Sequence, residues 1–136
     1  MFRKVAVMKN TRAGCLVAFS VLSTTAASGE QFDRSVTALT KASFVHLKVA
    51  YGCQRHLGVA RYHEAHIAVE NALRATGLPT HVAMAAAEDL AKEARASNLR
   101  MPDRSSQKCF ATFVHTKNDL NRWRAIVTAP PSPQPR

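Results

Sequence analysis

Cys53 and Cys109 constrain this chain more than any other feature. The 136-residue sequence has three cysteines. Cys15 lies in an N-terminal stretch patterned for removal, which leaves the other two to pair. A bond between them closes a loop of 56 residues. In the chain-entropy account such a closure contributes about 4 kcal/mol, comparable to the net stability of a small domain. In an oxidising compartment an isolated pair of this kind is a structural staple. The chain has no C-x-x-C motif, so the spacing gives no reason to expect redox activity.

The N-terminal stretch reads as a secretory signal over residues 1–28. Arg3, Lys4, Lys9 and Arg12 supply positive charge, and no acidic residue precedes Glu30. An apolar run from Ala13 to Leu22 follows, then small residues through Ser28, with Ala26 and Ser28 placed for cleavage after Ser28. Met8 offers a second, more compact start. The run is well short of the roughly 20 residues that span a bilayer. Arg12, three residues before Cys15, argues against lipid attachment. The expected location is therefore periplasmic or extracellular, with no transmembrane segment in the mature chain.

Charge narrows the partners. Removing the four basic residues of the signal leaves 15 Lys+Arg against 9 Asp+Glu, a net of +6. Outside the membrane such a protein is attracted to acidic envelope components or an acidic protein. The basic residues are spread along the chain with no aromatic platform between them, so no nucleic-acid partner is expected.

Apolar spacing predicts an all-α fold: a small bundle of about four helices over residues 29–128, closed by one disulfide. The first helix is expected over residues 33–50, capped by Asp33, with Val36, Leu39, Ser43, Leu47 and Ala50 on one face. The second is expected to run unbroken from Gln54 to Thr76 and to stop at Gly77-Leu78-Pro79. Its stripe is Leu57, Ala60, Ala65, Ala68, Ala72 and Leu73, and Ile67 is counted into the core.

Thr80 is the expected cap of the third helix, which turns Val82, Ala86, Leu90 and Ala94 inward. Residues 97–108 read as a loop. In the last helix Cys109, Phe113, Thr116, Leu120, Trp123 and Val127 share a face that Phe110, Val114 and Ile126 widen. A short strand over residues 109–115 is the alternative there. The Pro-rich segment 129–136 reads as a flexible tail.

Two constellations could hold metal. Cys53, His56, Cys109 and His115 offer two thiolates and two imidazoles, a tetrahedral zinc set. On an unbroken helix, His56, His63, His66 and Glu70 fall on one broad face and could take zinc, copper or nickel. His63-Glu64-Ala65-His66 is one residue short of H-E-x-x-H, so it lacks metalloprotease geometry. A polar surface is the plainer reading of this face. Phe44, Arg61, Tyr62 and His63 are the candidate partner contacts. No G-x-S-x-G elbow, glycine-rich phosphate loop or C-x-x-C-H haem site is present.

At the level of architecture the plan is similar to small disulfide-stapled helical proteins of the bacterial envelope, including acid-stress chaperones and immunity proteins. No motif allows residues to be carried over. The expectation is a non-catalytic exported protein that binds another macromolecule without a required cofactor. Such a protein would act as a chaperone, inhibitor or immunity factor. A metal-binding domain using the histidine face is the alternative, and an envelope hydrolase a weaker one.

Overall fold

The computed structural model describes residues 23–97 and 105–130. The expected signal core, the loop around Met101-Pro102-Asp103 and the tail from residue 131 lie outside the described residues. The expected cleavage point at Ser28 falls within the first two turns of the first helix.

Five helices form the described chain: α1 Ser23–Gly52, α2 Gln54–Leu57, α3 Val59–Arg74, α4 Thr80–Ala96 and α5 Ser106–Thr128. No described residue is in a strand, and residues 109–115 are helical. Helix α1 starts earlier than expected, so Asp33 lies within it rather than at its cap; its carbonyl accepts from Thr37 Oγ1 at 2.9 Å.

The expected unbroken second helix is divided at Gly58, where φ is 84° and ψ 162°. Only glycine adopts that conformation without strain, and it re-aims the chain between α2 and α3. Gly77, with φ 91°, ends the α3 region as its sequence position implies. Pro79, not Thr80, is the cap of α4, and its carbonyl accepts from Val82 and Ala83 N–H. Ser105 caps α5 by accepting from Lys108 N–H at 3.3 Å.

Helix α1 packs on α3, α4 and α5, and α3 also meets α4 and α5. Helices α4 and α5 flank this central pair, with no close backbone approach to each other among the described residues. The disulfide and the His46–Thr116 contact make α5 antiparallel to α1. The core comprises Leu39, Leu47, Ala50, Ala65, Val69, Ala72, Leu73, Phe113 and Leu120, together with the two cysteines. Ser43 is buried in α1 because its hydroxyl donates to the Leu39 carbonyl at 2.8 Å.

Helix α4 is rotated from its expected orientation. Ala83, Ala87, Ala91 and Ala94 face inward, while Val82 is exposed. The alanine stripe lets α4 approach both α1 and α3, an approach that larger side chains would block. Ala87→Leu should therefore cost about 1–3 kcal/mol through overpacking, measured as a lower urea midpoint. An unchanged midpoint would mean that α4 is not seated through Ala87. Ile67, expected in the core, is 58% exposed, and Phe110, Val114 and Ile126 are also exposed rather than widening the inner face of α5.

Candidate functional site

Tyr62, Glu64 and His66 of α3 are engaged in ties between helices. Glu64 accepts from Arg61 Nη1 at 2.6 Å on its own helix and from Lys117 Nζ on α5. The Lys117 and Arg61 hydrogen bonds hold the Glu64 carboxyl below its usual range. On the other side, Glu88 of α4 accepts from Arg95 Nη2 at 3.0 Å, and His66 Nε2 lies 3.3 Å away. The Arg95 bond, with His66 adding to it, lowers the Glu88 carboxyl as well.

Arg95 Nη1 also donates to Tyr62 Oη at 2.6 Å. The Tyr62 ring meets Tyr51 edge-on, with centroids 5.8 Å apart. Tyr62, expected as a surface contact, is thus 9% exposed and anchors α3 against α4. Arg61 remains exposed but is committed to Glu64.

The four residues of the expected histidine face separate in space and role. His56 sits on α2, before the Gly58 break that removes its common face with α3. His63 is exposed, its ring centroid 6.2 Å from that of Tyr62. His66 is engaged with Glu88, and Glu70 is half-buried. Among the described residues no three His, Cys, Asp or Glu side chains gather as a metal-holding group. Cys53 and Cys109 form the disulfide, with Cα atoms 5.6 Å apart, while His56 and His115 are exposed.

The inner face of α1 contains a histidine that sequence reasoning missed. His46 is fully buried against Phe113, with ring centroids 4.8 Å apart. Its Nδ1 lies 2.8 Å from Thr116 Oγ1, and that hydroxyl donates to the Phe113 carbonyl at 3.1 Å. The hydroxyl proton is thereby used, so Nδ1–H of His46 donates to Oγ1. Nε2 is then the bare nitrogen of a neutral ring, buried without a hydrogen-bond partner among the described residues.

Protonation would place a second N–H on Nε2 with nothing to receive it. Burial first, then the positive charge of Lys117, lower the His46 pKa to about 4, with Glu64 acting in the opposite direction. A hydroxyl beside an imidazole suggests a nucleophile and base. Here both are sealed, Thr116 at 6% exposure and His46 at zero, and the imidazole has no orienting carboxylate. The pair cements α1 to α5.

Among the described residues, two open concavities stand out. One lies between α1 and α4, where Val36, Phe44 and Leu90 form an apolar floor edged by Thr37, Thr40, Lys41 and Glu93. Lys48 Nζ stands 5.4 Å over the Phe44 ring. Phe44 is thus the expected contact residue that lies in an open groove. The other concavity is polar and lies where the ends of α3 and α5 meet the start of α4. No described helix is long and apolar enough to cross a membrane. No protein-family model, curated protein or solved structure matches the chain.

Proposed function

We propose that this chain is an exported, non-catalytic binding protein whose α1–α4 groove takes a short amphipathic segment of a partner protein. The segment would carry an apolar anchor and an adjacent carboxylate. The observation that carries this reading is the apolar floor at Phe44 and Leu90, with Lys41 and Lys48 beside it. An apolar anchor would bury the partly exposed Phe44 edge, and a carboxylate would meet the two ammonium groups. The basic balance of the chain adds long-range attraction for an acidic partner.

Export is supported by the charge and apolar pattern of residues 1–28 and by the disulfide. The non-catalytic reading is supported by the engagement of Glu64 and Glu88 in interhelical ties and the closure of the His46–Thr116 pair.

Phe44→Glu should weaken partner capture by about thirtyfold, a loss of roughly 2 kcal/mol expected at an aromatic anchor. The check is a photo-crosslinking residue at Thr40, with Asn121 on exposed α5 as the control position, in cells of the native host. A discrete cross-linked species at position 40, absent at 121 and lost with Phe44→Glu, is the expected result. A species that survives Phe44→Glu, or none at position 40, would rule the groove out.

A further inference from the structure

The polar concavity at the far end of the bundle differs in chemistry from the α1–α4 groove. Three helices converge there: Asn71 and Arg74 come from the last turn of α3, Thr80 from the start of α4, and Arg124 and Thr128 from the end of α5. Leu78 and Pro79 supply an apolar edge, and the opening measures about 640 Å³. Among the described residues no acidic side chain lines it.

The charge of its described lining is one-sided. Arg34, Arg61, Arg95 and Arg122 each pair with a carboxylate. Arg74 and Arg124 pair with none among the described residues, and both line the same opening. Two like charges on one opening, with no carboxylate partner among the described residues, favour an anion between them. The first helical hydrogen bonds of α4 begin at the N–H groups of Val82 and Ala83, leaving those of Thr80 and His81 directed out of the helix end. The Thr80 hydroxyl and the Asn71 amide add neutral donors suited to a tetrahedral oxyanion, while the Thr128 hydroxyl at the rim donates to the Arg124 carbonyl at 3.0 Å.

We infer that this pocket binds a phosphate group, through Arg74 and Arg124 as paired guanidinium donors with Asn71, Thr80 and Thr128 around them. The phosphate can come from free inorganic phosphate or from an anionic lipid headgroup. The recognition chemistry is shared, and guanidinium is the side chain best matched to it. The site is separate from the α1–α4 groove, so it stands or falls independently of the partner proposed there.

The test titrates isotopically labelled oxidised protein with inorganic phosphate and, in a second arm, with phosphatidylglycerol vesicles against phosphatidylcholine vesicles. Backbone amide shifts at Asn71, Thr80, Arg124 and Thr128 report the first arm, and sedimentation with vesicles reports the second. Arg74→Gln/Arg124→Gln should weaken binding roughly ten- to thirtyfold, as expected for two basic contacts to an anionic surface. Arg55→Gln/Lys108→Gln removes the same charge at the opposite end of the bundle and should leave most of the binding intact. Far-UV spectra check that both variants fold.

Saturable phosphate shifts lost only in the Arg74/Arg124 variant support the pocket with free phosphate as ligand. Binding confined to phosphatidylglycerol vesicles, and lost in the same variant, supports the headgroup source. Absence of both, or equal weakening in the two double variants, would overturn the inference.

Discussion

Cys53→Ala/Cys109→Ala should lower the unfolding free energy by about 4 kcal/mol, a large share of the 5–15 kcal/mol typical of a domain. The bond joins the end of α1 to the first turn of α5 and closes the loop that contains α2, α3 and α4. Without it the unfolded chain regains the freedom of 56 residues, while the folded chain loses its tie at one end of the α1–α5 seam. Both sulfurs are fully buried, so the substitution also removes packed volume. Urea denaturation of the oxidised protein and the double variant gives the comparison. A midpoint lowered by most of the transition, with a larger dependence on denaturant because the unfolded state expands, is the expected result. Equal midpoints would show that helix packing alone holds α1 to α5.

Acidification should destabilise the fold through His46 well before the carboxylates respond. In the unfolded chain this imidazole titrates near its ordinary value of 6.5, while in the folded chain burial and then Lys117 lower it to about 4. The unfolded state therefore binds the proton more readily throughout that interval. The stability contributed by the neutral ring is complete above pH 6.5, and it is lost as pH falls from 6.5 towards 4.

The full difference corresponds to roughly 3 kcal/mol, of which about 2 kcal/mol is lost between pH 7 and pH 5. Glu64 and Glu88, held low by their cationic partners, contribute acid sensitivity at lower pH, where carboxylates begin to protonate. Comparing denaturation at pH 7 and pH 5 therefore isolates the histidine. His46→Gln should flatten the difference between the two conditions even though it lowers stability at neutral pH. If the variant keeps the full pH dependence, the effect comes from another group.

The all-helical class and the staple were legible because each rests on local periodicity or on counting. In α5 the spacing of Cys109, Phe113, Thr116, Leu120 and Val127 places all five in the buried set. In α1 Leu39, Ser43, Leu47 and Ala50 are buried as their spacing implies. Helix α4 was misread because nearly all its small residues are alanine. When Ala83, Ala87 and Ala91 alternate with Ala85 and Ala86, the apolar stripe has no unique phase; Val82 lies on the exposed face, while Leu90 packs partly against the core and Ala94 is buried as its spacing implies.

Gly58 was passed over because an isolated glycine within a helical pattern is tolerable by spacing alone. Its positive φ emerges only once α3 must turn back along α1. Tyr62 is expected outside because it falls off the apolar stripe of its helix. The hydroxyl partner that permits its burial, Arg95, lies 33 residues away.

The sequence by itself determined three things: helical elements in most of their actual places, a Cys53–Cys109 closure, and a basic surface. These depend on near-neighbour spacing, residue identity and charge, which a linear chain displays. Tertiary structure alone decided which polar groups are free. Glu64, His66 and Glu88 are tied across helices, His46 is sealed with one nitrogen unsatisfied, and Arg74 and Arg124 line one opening with no carboxylate partner among the described residues. Those pairings span 22 to 70 residues along the chain where they bridge helices through histidine. No local pattern encodes which distant partner arrives, because helix packing sets those distances.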